Sequence, residues 1–302
     1  METEKIQNSI LGFIVGDALG VPVEFKDKTS FKTPINDFVE GGRYNVPIGA
    51  WSDDSSLVLC LIETIIESGL DYNVYSAKMI DWMFNNYMTP FGKAFGIGRS
   101  TFFAIGKLKS GISYLNSGEK TINSNGNGSL MRILPLVFYL YKKEDKFKEV
   151  EICSSITHAH YISFIACSIF VEYFHCLIDT NDKLKAYSLM QAKIKSHYKS
   201  YDLSEFERIL NGEIYYIDGN KLSGLGYVVS TLEVVLYSFI NGVSYEDCVL
   251  KAINFGNDTD TNAAITGSLA GYYYNEVPNE WKRKIMKFEE INQLIVKFSN
   301  LF

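Results

Sequence analysis

Apolar positions recur at i, i+3 and i+4 along most of this chain. Ile6, Ile10, Phe13 and Ile14 share one face with Asp17, which predicts a helix over residues 4–20. Val21-Pro22 ends it and Glu24 follows. The same period carries Leu57, Leu61, Ile62 and Ile65 after Ser52-Asp53-Asp54, residues 74–87, and Ile105 and Leu108 after Ser100-Thr101. It returns in Tyr161, Ile162, Ile165 and Ile169 after Thr157-His158, in residues 226–240 and in residues 245–254. Pro278 and Trp281 begin a last helical segment towards Phe302. Residues 31–50, punctuated by Pro34, Gly41-Gly42, Pro47 and Gly49, predict a loop. The polar stretch 181–222 predicts surface helices and a loop around Gly219. No segment alternates convincingly with period two, and no repeat of 20–50 residues stands out. The expected fold is all-α, a single compact domain over residues 1–302.

Small residues refine that picture. Gly12, Gly16 and Gly20 recur every four residues. Glycine weakens a helix, so the row predicts close approach of another backbone. Ala263, Ala264, Gly267, Ala270 and Gly271 mark a second helix that must pack tightly and centrally. Asp17 lies on an apolar face, and a buried acid is paired or bound to something. A structural role and direct contact with metal or substrate are both open to it.

Of 302 residues, 47% are hydrophobic and 21% charged, with a net charge of -6. This is ordinary globular composition. No basic stripe points to nucleic acid. The five cysteines, Cys60, Cys153, Cys167, Cys176 and Cys248, are scattered without a C-x-x-C and read as small buried hydrophobes. A reducing cytoplasm fits them. Ile10 to Val23 is apolar, but it contains Asp17 and follows Glu2 and Glu4, the wrong flank for a signal sequence. No apolar run reaches the roughly twenty residues of a membrane span, so a soluble protein without a membrane partner is expected.

Two acidic clusters carry the candidate chemistry: Ser52-Asp53-Asp54-Ser55 and Gly256-Asn257-Asp258-Thr259-Asp260-Thr261-Asn262. Both open helices. A cap needs one side-chain oxygen, and a helix N-terminus favours acids, but each cluster supplies more than capping uses. Asp53 and Asp54 are adjacent like charges, which repel unless something positive sits between them. Magnesium and manganese prefer oxygen ligands in near-octahedral geometry. Ser52, Asp53, Asp54, Asp258, Asp260 and Thr261 offer six oxygen-bearing side chains, enough for two ions about 3.5–4 Å apart. Calcium is the chief rival, but EF-hand spacing is absent.

Three further segments are candidates for substrate contact. Asn123-Ser124-Asn125-Gly126-Asn127-Gly128-Ser129 is a polar glycine loop running into Leu130-Met131-Arg132-Ile133-Leu134-Pro135. Its backbone N–H groups suit phosphates; a tight turn plus helix cap is the alternative. Gly96-Ile97-Gly98 is a weak motif, and Ser100-Thr101 could cap the helix after it. His158 faces inward at a helix start beside Thr157, as a core residue or a site residue. His160 falls off the stripe and is expected to be exposed. His175 and His197 have no supporting context.

Together these motifs resemble the ADP-ribosylglycohydrolase family, relatives of dinitrogenase reductase-activating glycohydrolase and the ADP-ribosyl-acceptor hydrolases. The matching pieces are Gly16–Gly20 with Glu24, Trp51–Ser55, Gly96–Gly98 with Ser100-Thr101, Gly126–Pro135, Thr157-His158 and Gly256–Gly267. They follow the family's order, and the stretch 172–225 carries nothing that matches. The resemblance implies a binuclear magnesium or manganese site with ligands at Ser52, Asp53, Asp54, Asp258, Asp260 and Thr261. Many relatives carry threonine where Ser52 stands, and serine keeps the hydroxyl. It implies a substrate site of Asp53, Gly98, Asn125, Gly126, Asn127, Gly128, Ser129, Met131 and His158, the glycine loop cradling the pyrophosphate. The implied reaction is hydrolysis at ribose C1″ of an ADP-ribosylated acceptor, with Glu24 or Asp54 as general base. Arginine is the first acceptor; serine and small ADP-ribosyl metabolites are the others. The competing reading is a weakly catalytic relative: a crystallin-like protein, or an immunity protein whose partner is an ADP-ribosyltransferase. A two-metal phosphoesterase is a weaker alternative.

Overall fold

In the computed structural model, which describes residues 1–212 and 214–302, helices build the whole protein and no sheet forms among the described residues. The principal helices are α1 (Thr3–Gly20), α2 (Asp53–Ser68), α3 (Tyr72–Asn85), α4 (Arg99–Lys109), α5 (Leu134–Tyr139), α6 (Lys146–Ser155), α7 (Tyr161–Thr180), α8 (Lys183–His197), α9 (Val228–Ile240), α10 (Tyr245–Ile253), α11 (Thr259–Tyr274) and α12 (Phe288–Ser299). The all-α expectation therefore holds. Residues 31–50 lack any α-helix, as their breakers predict.

The glycine row of α1 meets the small residues of α11. A Cβ at Gly12 would overlap the Gly267 carbonyl, one at Gly16 the Ala263 carbonyl, and one at Gly20 the backbone of Asp260. From the other side, Gly271 fits against the Asn8 carbonyl. The two backbones touch along their length because neither carries bulk at the contact. This pair sits in the middle of the fold: every residue from Thr259 to Tyr272 is buried.

Around it one apolar core draws on residues from Ile6 to Phe298. All five cysteines are buried and unpaired. Two helical stretches, Thr3–Val23 and Tyr161–Thr180, do have membrane-spanning length and apolarity, against the expectation from the sequence. They lie 94% and 83% inside the fold, where an all-round apolar helix is at home. In the segment without matching motifs, Glu172 is fully buried on α7 and paired with Lys146 at 2.5 Å and Lys193 at 2.7 Å. That double pairing ties α6, α7 and α8 together.

Candidate metal and substrate site

The site begins with Asp17. Its Oδ1 accepts from the Ser52 N–H at 3.0 Å, and its Oδ2 accepts from the Ser55 N–H at 3.0 Å and the Ser55 hydroxyl at 2.6 Å. Asp17 is fully buried and outside the cavity. Of its two open roles, the structure assigns the structural one: it clamps the start of α2 to α1. Ser52 caps α2, its Oγ accepting from the Asp54 N–H and donating to Asp54 Oδ2, both at 3.2 Å.

The close contact at Gly20 delivers the start of α11 beside the end of α1. There the Phe25 N–H donates to the Asn257 carbonyl at 2.6 Å, and the Asn257 N–H to the Lys26 carbonyl at 2.7 Å. Glu24 thereby comes to Asp258 and Asp260, and one carboxylate oxygen of each lies within 4.8 Å of the others. Asp53, Asp54 and Thr261 line the same cavity of about 290 Å³. The two acidic helix starts, some two hundred residues apart in sequence, converge. Ser52 is buried just behind them and does not line the cavity.

The electrostatics are those of crowded, largely buried carboxylates. Burial first, then Asp258, Asp53 and Asp17, push the Glu24 carboxyl up to about 9 against the opposing pull of Arg43. Burial and neighbouring carboxylates likewise hold Asp53, Asp54 and Asp260 well above the usual range. Glu24 Oε2 and Asp54 Oδ1 are buried without a hydrogen-bond donor. Buried acceptors are normally satisfied. Crowded oxygen-only ligands, two of them with an unpartnered oxygen, fit a hard divalent cation.

The opposite wall is the glycine segment. Asn127–Arg132 forms a 3₁₀-helix rather than a loop entering an α-helix, and no side chain caps it. Asn127 Nδ2 donates to Asp258 Oδ2 at 2.8 Å and to the Thr231 hydroxyl at 2.9 Å, joining this wall to the acids. Gly126, Gly128, Met131, Gly98 and His158 also line the cavity. A Cβ at Gly128 would stand 2.8 Å from both the His158 ring and the Thr101 hydroxyl. His158 Nδ1 bonds the Thr157 hydroxyl at 2.8 Å, which accepts from Arg132 Nη2 at 2.8 Å. Burial, then the Arg132 charge, lower the His158 imidazole to about 3, so it is neutral.

Some expected residues stand elsewhere. Asn125 turns away from the cavity: its Nδ2 bonds the Ile122 carbonyl and His160, and its Oδ1 accepts from Ser163. The Ser129 hydroxyl accepts from the Cys167 thiol in the core. His160 is half-buried rather than exposed and caps α7 through the Ile162 N–H, because the helix begins at Tyr161; Thr157 lies outside it and is engaged by Arg132. Ser100-Thr101 does not cap α4; Gly98 holds that position, and Thr101 is buried at the cavity. His175 is buried too, its Nε2 at 2.7 Å from the Val137 carbonyl.

Other lining residues were not anticipated as substrate contacts. Gly96, at φ +87°, lets Asp53 Oδ1 approach, and Gly226 does the same for Asp258 Oδ2. The G-x-G motif contained the first signal, whereas Gly226 looks in sequence like a helix boundary. Asn123, Arg99 and Phe25 complete the rim.

Known proteins resemble this chain over nearly its whole length. The ADP-ribosylglycohydrolase family model matches residues 2–302. ADP-ribosylarginine hydrolase Tri1 of Pseudomonas putida (strain GB-1) is 30% identical over 297 residues, covering 96% of this chain and 76% of that protein. Tri1 of Serratia proteamaculans (strain 568) is 29% identical over 296 residues, covering 96% of this chain and 78% of that protein. A solved structure of an ADP-ribosylglycohydrolase-related protein complex matches with a TM-score of 0.82 at 26% identity, covering 99% of this chain and 98% of its own.

Proposed function

The chain belongs to the ADP-ribosylglycohydrolase family, and we propose that it hydrolyses ADP-ribosylated arginine at ribose C1″ with two Mg²⁺ or Mn²⁺ ions. The observation that carries this is the convergence of Glu24, Asp258 and Asp260, with Asp54 beside them, Glu24 and Asp54 each keeping a buried oxygen without a donor. Arginine is taken as acceptor because similar proteins at 29% and 30% identity are ADP-ribosylarginine hydrolases.

Asp53, Asp54, Asp258, Asp260 and Thr261 would hold the ions, with Ser52 fixing Asp54. When bound, the ions would supply Lewis-acid polarisation of ribose hydroxyls and of a water. Glu24 is taken as the general base because it stands with Asp258 and Asp260 and keeps a buried oxygen, Oε2, free of donors; Asp54 Oδ1 shares that freedom, but its other oxygen is held by Ser52. A countercharge among the neighbouring carboxylates would lower the raised pKa of Glu24, and in its ionised form it takes a proton from the attacking water. The ring of carboxylates favours positive charge developing at C1″. The uncapped turn offers the Gly126 and Gly128 N–H groups to the pyrophosphate, the Asn127 N–H being taken by the Gly226 carbonyl. The Asn127 side chain ties that turn to Asp258, and backbone bonds from Asn127 to Gly226 and from Asp258 to Gly224 hold both against the same stretch. Neutral His158 packs beneath Gly128 and keeps the turn in place.

The test is incubation with Mg²⁺ or Mn²⁺ and peptides ADP-ribosylated on arginine or on serine. Free ADP-ribose from the arginine peptide is the expected result. Release from serine alone would overturn the acceptor, and release from neither would overturn the reaction.

A further inference from the structure

We propose that Phe25 is the acceptor platform of this site, its exposed ring taking the guanidinium of the ADP-ribosylated arginine. This rests on the reading of arginine as acceptor. Phe25 follows Glu24 directly and lines the same cavity, yet it is 53% exposed. Its φ is +62°, a region disfavoured for a bulky side chain and easy for glycine. The bonds to Asn257 hold it there, so a strained residue is pinned to the loop that carries Asp258 and Asp260. Core burial does not account for a ring half in water, and the backbone would be better served by glycine.

What the ring does hold is a cation. The Arg43 guanidinium carbon lies 4.6 Å from its centroid. Arg43 is exposed and makes no ion pair among the described residues. A guanidinium over an aromatic face is a favourable contact, and here it forms at the mouth of an acidic cavity. With ADP-ribose between the acids and the Gly126–Gly128 turn, the scissile bond lies by Glu24. The acceptor side chain then passes the next residue, Phe25, on its way out. Arg43 shows what chemistry that ring accepts.

The test compares Phe25→Leu and Phe25→Tyr with the unmodified enzyme. Leucine keeps a Cβ and apolar bulk but has no π face; tyrosine keeps the face. No ADP-ribose from the unmodified enzyme on arginine peptide would refute the arginine reading itself. Given that activity, Phe25→Leu should raise KM for the arginine peptide about two- to fivefold. Its kcat should be unchanged, its affinity for free ADP-ribose should hold, and Phe25→Tyr should restore KM. An unchanged KM, a fall in kcat alone, or an equal loss of ADP-ribose affinity, which would mean that the ring stacks on the nucleotide, would each overturn the assignment.

Discussion

Asp17 Oδ2 accepts both the hydroxyl and the N–H of Ser55, at 2.6 and 3.0 Å. A carboxylate on the first helix thus sets the angle at which the second presents Asp53 and Asp54. Burial raises its pKa to about 6 even against these serine hydrogen bonds.

Asp17→Asn should therefore act on stability and activity together. The amide turns a donor towards N–H groups that need an acceptor, at a cost of about 1–3 kcal/mol. Chemical denaturation and ADP-ribose release on the same samples measure both. Full activity in a destabilised Asp17→Asn protein would show that the clamp does not position the acids.

Gly16→Ala should destabilise through overpacking, by about 1–3 kcal/mol, because its Cβ overlaps the Ala263 carbonyl. Gly106→Ala, in the middle of α4 with nothing within 4 Å of its Cβ, should stabilise by up to about 1 kcal/mol. A melting temperature that does not fall in Gly16→Ala would contradict the packing of α1 on α11.

Asp258→Asn with Asp260→Asn should abolish ADP-ribose release and the thermal stabilisation by Mn²⁺. A ligand at a hundred times its Kd stabilises by about 2.7 kcal/mol. Without added metal, the double variant should melt higher than the parent, since two crowded acids are gone. A melting temperature that still rises with Mn²⁺ would place the ions elsewhere.

Glu24 makes the metal-free protein pH-sensitive. Its folded pKa is raised from 4.5 to about 9, so between those values the native state binds more protons than the unfolded chain. Stability from this group must then fall as pH rises from about 5 towards 9. Glu24→Gln should flatten that slope in denaturation curves taken at several pH values with chelator present. A parent whose stability rises over this window would mean that Glu24 ionises freely.

The hydrophobic period alone determined where most helices lie, because an amphipathic stripe is a local property of sequence. α1, α2, α3, α9 and α10 fall within a few residues of their expected spans. The acidic clusters were legible for the same reason: adjacent carboxylates at a helix start are costly without a countercharge. Tertiary structure decided which oxygens share the cavity. Asp17 was assigned to a clamp, Asn125 and Ser129 were turned into the protein, and Phe25 was placed at the rim. None of these follows from spacing, since each depends on a partner far away in the chain. Gly20 against Asp260 is the contact that brings Glu24 to the acids of α11. It forms because two helices lacking side-chain bulk can touch backbone to backbone, and only the packed chain shows which two those are.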